Sequence, residues 1–181
     1  MKEERLYIVG YMASGKTTFG RALAERIGWD FLDLDEELAR REGKPVAAIM
    51  AESGEEGFRR LESKALKETS TLRKTVVACG GGTPCYRDNM EFMTLHGMTL
   101  WLVASPARMA ERILEAGDTR PLVAGKRPEE LEGFISSHLL RRQPFYCRAQ
   151  WRLNAEHLES QTEIDATVDV FLKEFYDNQI R

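Results

Sequence analysis

The hydrophobic positions of this chain follow two patterns, short apolar runs and longer segments in which apolar residues recur every three or four positions. The short runs, such as Leu6 to Val9, are typical of buried strands, and the longer spacing is typical of helices with one buried face. Strands are predicted at residues 6–9, 29–33, 75–79, 98–103 and 150–153. Helices are predicted behind the first strand, where Phe19, Leu23 and Ile27 recur, and near 35–42, 46–51, 55–72, 88–96, 106–115, 129–146 and 164–175.

Strands and helices alternate along the whole chain. This alternation favours a parallel sheet with helices on both faces. The predicted fold is therefore a three-layer α/β/α architecture built on a five-stranded parallel sheet. The 181 residues fit one domain of ordinary size, so residues 1–181 are predicted to form a single domain.

A glycine-rich loop directly follows the first strand and reads Gly10-x-x-x-x-Gly15-Lys16-Thr17. Its glycines let the backbone aim several N–H groups at one anion, and the helix behind it presents its positive N-terminal end to the same anion. In this pattern the lysine contacts the β- and γ-phosphates of a nucleotide, and the threonine hydroxyl binds the accompanying Mg²⁺. The loop therefore predicts a binding site for a nucleoside triphosphate, formed by Ala13, Ser14, Gly15, Lys16, Thr17 and Thr18.

Composition narrows the class of partner. The 26 basic and 29 acidic residues give a net charge of −3, which argues against binding to nucleic acid or to a membrane surface through a basic face. No apolar run approaches the ~18 residues of a membrane span, and the charged start lacks the apolar core of a signal peptide. The three cysteines form no metal-binding pattern and read as free thiols in a reducing compartment. We expect a cytoplasmic monomer.

Two polar clusters follow other strands and suggest a second substrate near the loop. Asp33 and Asp35 end the second strand, where one carboxylate would support Mg²⁺ and the other would hold or deprotonate a hydroxyl; capping of a helix by Asp35 is the structural alternative. Gly80, Gly81 and Gly82 follow the third predicted strand and suit a close approach of backbone N–H groups to a ligand, with a plain turn as the alternative. In parallel sheets, ligands bind at these strand ends.

Arginines at three places are candidates for binding anionic groups. Arg59 has Glu62 three residues later, which would orient the guanidinium, although a surface ion pair fits the same spacing. Arg142 extends an apolar helical stripe and would need an anionic partner such as a carboxylate, but Arg141 fits the stripe nearly as well. Arg120 lies in the irregular segment 116–127, which suggests either a lid over phosphates or a solvated loop.

Six motifs together resemble the shikimate kinase family, within the P-loop folds of the nucleoside-monophosphate-kinase type, and the resemblance spans nearly the whole chain. They are the loop 10–18, F-L-D-L-D at 31–35, G-E-x-x-F-R-x-x-E at 54–62, G-G-G at 80–82, T-R-P-L at 119–122 and R-x-P-F-Y at 142–146. The resemblance implies ATP-dependent phosphorylation of the 3-hydroxyl of shikimate on the route to chorismate. It also implies substrate-binding helices near 34–62 and a mobile lid near 116–127.

The resemblance implies a role for each candidate residue. Asp35 would hold the shikimate hydroxyls, and Arg59 and Arg142 would bind its carboxylate, with Gly80, Gly81 and Gly82 contributing backbone contacts. Arg120 would contact the ATP phosphates from the lid. Thr17 would bind Mg²⁺, with Asp33 close to the metal, and Arg112 is a candidate for stacking on adenine. The adenine contacts near 155–161 do not carry over.

One residue departs from the family pattern. Ala13 stands where the family usually has a glycine in the phosphate loop. The general loop pattern leaves that position free, so only a small steric adjustment is expected there.

Overall fold

The strands form one parallel sheet. The computed structural model of the protein describes residues 4–117, 123 and 125–179. Within these residues the strands are β1 (Arg5–Val9), β2 (Asp30–Asp33), β3 (Thr75–Ala78), β4 (Met98–Val103) and β5 (Trp151–Asn154). Their order across the sheet is β2-β3-β1-β4-β5, and each neighbouring pair is parallel. The predicted five-stranded parallel sheet is therefore confirmed.

Helices cover both faces of this sheet. Their bounds are α1 (Lys16–Ile27), α2 (Leu34–Glu42), α3 (Val46–Glu68), α4 (Asn89–His96), α5 (Pro106–Glu115), α6 (Pro128–Tyr146) and α7 (Gln161–Gln179). Short 3₁₀ turns lie at Thr69–Thr71 and Thr83–Cys85. No helix in the described part of the chain combines the length and apolar content needed to cross a membrane.

Two hydrophobic layers explain why the central strand β1 is buried at every position from Leu6 to Val9. Leu6 and Ile8 pack with α1 and α7 in one layer. Tyr7 and Val9 pack in the other layer, which includes buried residues of α3, α4, α5 and α6. Because successive side chains of a strand point to opposite faces, a strand with helices on both sides must be apolar at every position.

The strand register brings the predicted functional segments to one edge of the sheet. Asp33, the last residue of β2, pairs with Ala78, the last residue of β3. Ala78 in turn pairs with Ile8, one residue before the end of β1. The phosphate loop, the aspartates and the triple glycine therefore begin side by side at the carboxyl edge of the sheet, where ligands bind in this architecture.

The predicted break between helices near residues 51 and 55 lies at a single residue. Helix α3 consists of two helical segments that meet at a kink, where Gly54 has φ 68° and ψ 171°. This left-handed φ is accessible to glycine without a Cβ clash, so the chain changes direction there. The second part of α3 ends at Glu68, earlier than the predicted residue 72, because the 3₁₀ turn follows it.

Candidate active site

The phosphate loop is the tight turn between β1 and α1. Gly10 has φ 149° and Gly15, at the N-cap of α1, has φ 89°. A Cβ on Gly10 would lie 2.7 Å from the Leu102 carbonyl oxygen, and one on Gly15 would overlap the side chain of Leu158. Gly10 therefore requires glycine for space as well as for conformation, and Gly15 requires it for conformation. The start of α1 is left free to face an anion.

Ala13 departs from the expectation of a small steric adjustment, because its backbone is left-handed with φ 57°. The family's usual glycine adopts this conformation freely, whereas a residue with a Cβ is strained by about 1–2 kcal/mol. The Ala13 carbonyl accepts a hydrogen bond of 3.3 Å from Arg112 Nη1. Alanine in place of glycine at position 13 therefore strains the backbone of the loop. The hydrogen bond from Arg112 helps to hold Ala13 in this conformation.

Replacing Ala13 with glycine is expected to raise the free energy of unfolding by up to about 1 kcal/mol, because the relief of left-handed strain exceeds the extra entropy of the unfolded chain. Urea denaturation of the two proteins measures this difference. A lower stability for Ala13→Gly would show that residue 13 is unstrained in the folded protein.

The remaining loop side chains are held by short contacts. Lys16 Nζ donates to the Tyr11 carbonyl oxygen at 2.7 Å, so the ammonium lies across the loop. Thr17 Oγ1 donates to Asp33 Oδ2 at 2.7 Å. Ser14 is buried, and its hydroxyl has no hydrogen-bond partner among the described residues. Because a buried polar group without a partner is costly, this hydroxyl is consistent with a loop shaped for a ligand.

Asp33, rather than Asp35, caps helix α2, so the structural alternative that named Asp35 as the cap is wrong. The second Asp33 carboxylate oxygen, Oδ1, accepts from the backbone N–H groups of Asp35 (3.0 Å) and Glu36 (3.3 Å). Asp33 thus joins the phosphate loop to the start of α2 through both of its oxygens. Asp35, released from capping, lines the cleft instead.

Arg59 and Glu62 form a buried ion pair, which excludes the alternative of a surface pair. Arg59 Nη1 lies 2.7 Å from Glu62 Oε2, and the two side chains are 14% and 1% exposed. Burial alone would lower the pKa of Arg59, but the charge and hydrogen bond of Glu62, followed by Glu55 and Asp35, raise it above its usual value. The guanidinium is therefore firmly charged and fixed in direction.

Each residue of the triple glycine touches a different charged group of the cleft. A Cβ on Gly80 would overlap Glu62 Oε1, and one on Gly82 would overlap the guanidinium of Arg59. A Cβ on Gly81 would lie 3.2 Å from Arg142 Nη1. The run is therefore a backbone surface against which the ion pair and the second arginine pack, which is more than a plain turn requires.

Replacing Gly82 with alanine is expected to weaken the binding of the acceptor substrate about tenfold or more. It is also expected to lower stability, because displacing Arg59 weakens its ion pair with the buried Glu62 carboxylate. The new methyl group would displace the end of the Arg59 side chain, which can move without disturbing the backbone. The matched control is Gly133→Ala in α6, where a Cβ meets no atom within 4 Å. Steady-state kinetics and thermal unfolding distinguish the two effects; equal KM values for the Gly82 variant and wild type would contradict this assignment of Arg59.

The structure shows that Arg142, and not Arg141, faces the main cleft, a choice that the spacing of the two residues left open. Arg142 is partly buried, lines the cleft and lies with its Cζ 5.4 Å from the centre of the Tyr11 ring. Arg141 is exposed and lines only a smaller cavity, of about 490 Å³, beside the cleft. At the end of the same helix, Tyr146 donates from its hydroxyl to the Gly81 carbonyl at 2.5 Å. Helix α6 is therefore anchored to the glycine run with Arg142 on its inner side.

One cleft of about 1000 Å³ unites these residues. Its lining includes most of the predicted site, namely Ala13, Gly15, Lys16, Thr17, Thr18, Asp33, Asp35, Arg59, Gly80, Gly81, Gly82, Arg112 and Arg142. Ser14 lies buried beneath the loop. Arg120, the arginine predicted to lie in the lid, is outside the residues that the structure describes.

Arg112 is held by several acceptors beside the phosphate loop. In addition to the Ala13 carbonyl, it donates to the carbonyls of Ala155 (3.0 Å) and Glu156 (3.2 Å) and to Glu159 Oε1 (2.9 Å). It thereby ties the loop to the segment that follows β5. These three acceptors lie within residues 155–161, the segment to which the family's adenine contacts do not carry over, and they fix the guanidinium of Arg112.

Sequence reasoning missed two residues that support Arg142. The Tyr11 ring lies beneath the guanidinium, and the Tyr11 hydroxyl lies 3.0 Å from Nδ1 of His138. Burial, followed by Arg142 and Arg141, lowers the pKa of His138 below its usual value, so the ring is neutral at neutral pH. Tyr11 stands at a position that the phosphate-loop pattern leaves free, so the pattern gives no signal for it. His138 is one helical turn before Arg142 on α6, and this spacing is the only sequence signal that His138 lies near the cleft.

These features define a class of protein. The site combines a phosphate loop at the end of β1 with two oxygen groups suited to Mg²⁺, on Thr17 and Asp33. The same cleft has a second region lined by arginines. This combination is characteristic of P-loop kinases with the nucleoside-monophosphate-kinase-like fold.

Comparison with known proteins identifies the family within that class. The family model described as shikimate kinase matches residues 12–173. A shikimate kinase from Phocaeicola vulgatus is 43% identical over 169 residues, which cover 93% of this chain and 97% of that protein. The chain belongs to the shikimate kinase family, and its enzymatic class is that of a kinase.

Solved structures agree with this assignment. The crystal structure of shikimate kinase from Bacteroides thetaiotaomicron matches with a TM-score of 0.91 and 39% identity, covering 95% of this chain and 98% of the other. Shikimate kinase from Acinetobacter baumannii, solved in complex with shikimate, matches with a TM-score of 0.87 and 30% identity, covering 99% and 96%. The fold predicted from the sequence is therefore confirmed.

Proposed function

We propose that this protein transfers the γ-phosphoryl group of ATP to the 3-hydroxyl of shikimate, giving shikimate 3-phosphate and ADP on the route to chorismate and the aromatic amino acids. One observation carries the proposal at the level of the site: a single cleft joins the phosphate loop to two arginines, Arg59 and Arg142. A phosphate donor at one end and a carboxylate-bearing acceptor at the other match this distribution of charge.

The phosphate loop would hold the donor. The backbone from Ala13 to Thr18 surrounds the triphosphate, and Lys16 leaves the Tyr11 carbonyl to contact the β- and γ-phosphates. Phosphoryl transfer demands positioning and charge neutralisation more than covalent chemistry from the protein. Lys16 supplies the positive charge that balances the transferred group, while Arg112 positions the loop next to the region that would receive adenine.

The residues at the loop also fit a magnesium ion. Thr17 Oγ1 and Asp33 Oδ2 are 2.7 Å apart, and both are the oxygen ligands that Mg²⁺ prefers. Mg²⁺ bound with ATP neutralises phosphate charge. We propose that Thr17 binds the ion directly and that Asp33 supports it, while Asp33 also fixes the start of α2.

The acceptor would bind at the opposite end. Arg59, oriented by Glu62, and Arg142, stacked on the Tyr11 ring, would bind the carboxylate of shikimate. Asp35 would hold its hydroxyls near the phosphate loop and orient the attacking oxygen. Gly80, Gly81 and Gly82 allow the substrate to lie directly against the backbone, which brings the two substrates into line.

A lid would complete the site. We propose that residues 1–181 act as one kinase domain, with substrate-binding helices at 34–62 and a lid at 116–127 that carries Arg120 onto the ATP phosphates. Closure would exclude water and so protect ATP from hydrolysis. We further propose a cytoplasmic monomer whose partners are ATP and shikimate, without nucleic acid or membrane. The near-balanced charge supports the absence of nucleic acid and membrane partners, and the free thiols support a reducing compartment.

Coupled measurement of ADP release tests the proposed function. The assay compares shikimate with gluconate and nucleoside monophosphates, each with ATP and Mg²⁺. We expect turnover with shikimate alone, because the other acceptors do not present a ring hydroxyl and a carboxylate at the separation of Asp35 and the two arginines. Shikimate-dependent ADP release no higher than the ATP-only background would refute the proposal.

A further inference from the structure

The buried carboxylate of Glu62 has a second partner besides Arg59. Thr83 Oγ1 donates to Glu62 Oε1 at 2.5 Å, and Thr83 is fully buried. Each Glu62 oxygen therefore faces one partner, Arg59 on one side and the Thr83 hydroxyl on the other. A carboxylate that is 1% exposed depends on such protein partners, because it offers little surface to water even though Glu62 borders the cleft.

Thr83 is itself fixed on every polar atom. Its N–H donates to the Gly80 carbonyl at 3.0 Å, and its carbonyl accepts from Asn89 Nδ2 at 2.9 Å. The Asn89 amide oxygen in turn accepts from the Ser63 hydroxyl at 2.6 Å, and Asn89 is also fully buried. This network joins the 3₁₀ turn, α4 and α3 at the glycine run, so the Thr83 hydroxyl has little freedom to turn away from Glu62.

We propose that Thr83 is a positioning residue for the acceptor substrate and acts through Glu62 on Arg59. The hydroxyl fixes the rotamer of Glu62, and Glu62 fixes the guanidinium that would meet the substrate carboxylate. Thr83 does not line the cleft, so it has no direct contact with substrate. The inference rests on the proposed function, because it assigns Arg59 to the shikimate carboxylate.

The test compares variants that remove or keep the hydroxyl. Thr83→Val keeps the shape of the side chain and is expected to raise the KM for shikimate about tenfold, with the KM for ATP and kcat changed less than about twofold. Thr83→Ser restores the hydroxyl and is expected to stay within about twofold of wild type. Thr83→Ala, which only removes atoms, provides the same comparison if the valine variant does not fold.

Thr99→Val is the matched control. Thr99 is also fully buried, and its hydroxyl accepts a 3.0 Å hydrogen bond from the Gln150 backbone, but it lies in β4 outside the cleft. Its variant is expected to lose stability without a change in the KM for shikimate. In an Arg59→Ala background, Thr83→Val is expected to add no further increase in KM, because the residue through which it acts is absent.

The outcomes separate the inference from the proposed function. An unchanged shikimate KM in Thr83→Val and Thr83→Ala, or an equal increase in Thr99→Val, overturns the positioning role while shikimate phosphorylation by wild type remains. A further full increase in the Arg59→Ala background also overturns it. A wild-type protein without shikimate-dependent turnover overturns both.

Discussion

Replacing Lys16 with alanine is expected to lower kcat by about a thousandfold or more, a loss of about 4 kcal/mol of transition-state stabilisation. The ammonium lies at the base of the phosphate loop, 2.7 Å from the Tyr11 carbonyl. In the reaction it would balance the negative charge that spreads over the transferred phosphoryl group. Alanine leaves the loop backbone intact, so the protein is expected to fold normally while its turnover falls.

Single-turnover kinetics with saturating ATP and shikimate measure this loss, and circular dichroism verifies the fold. Lys67→Ala is the control, since Lys67 lies on the surface with its Nζ 3.0 Å from Asp88 and contributes little as an exposed pair. A Lys16→Ala variant that retained a tenth or more of wild-type kcat would contradict the role proposed for the Lys16 ammonium, which is to balance charge on the transferred phosphoryl group.

Replacing Arg142 with alanine is expected to raise the KM for shikimate about a hundredfold, with a much smaller effect on the KM for ATP. The guanidinium is one of two that would pair with the substrate carboxylate, and the loss of a charged hydrogen-bonded partner costs about 2–3 kcal/mol. Its removal also leaves the Tyr11 ring uncovered.

Arg141→Ala is the matched control, because the neighbouring arginine is on the same helix but is exposed outside the main cleft. We expect it to change the KM for shikimate less than threefold at physiological ionic strength, where exposed charges are screened. If the two variants raised this KM equally, the arginines would act through a general field and the assignment of Arg142 to the carboxylate would be wrong.

The periodicity of apolar residues predicted the strands well, but the order of the strands lay beyond it. Met98–Val103 is apolar at nearly every position, and its predicted bounds agree with β4. The pattern indicates burial on both faces of a strand, and it does not indicate which strand lies next to it. The place of β1 between β3 and β4 depends on how helices pack across the sheet, which local spacing does not encode.

The candidate site was predicted more completely in its charged residues than in the groups that hold them. Asp33 ends β2 as predicted, whereas Asp35, which was predicted to end the same strand, lies in the first turn of α2. Only the backbone geometry shows that Asp33 caps this helix. Spacing predicted the contact of Arg59 with Glu62 without its burial, which follows from how α3 packs on the sheet. Thr83 belongs to no sequence motif. Its hydroxyl reaches Glu62 because the 3₁₀ turn at Thr83–Cys85 brings it there.

Ala13 illustrates a different limit. Its identity was visible as a departure from the family pattern, but the positive φ at that position is a property of the folded loop. The spacing of the glycines shows that the loop forms a tight turn. Which residue of that turn has a positive φ is known only from the folded backbone. The same reasoning explains why Gly54 could be expected to break a helix while the extent of the break could not.

A crystal structure with shikimate and a non-hydrolysable ATP analogue tests the two-substrate site most directly. We expect the carboxylate of shikimate between Arg59 and Arg142, its 3-hydroxyl near Asp35, and that oxygen in line with the terminal phosphate held by Lys16. A shikimate molecule bound with its carboxylate away from both arginines, or with its 3-hydroxyl facing away from the phosphate loop, would contradict the account.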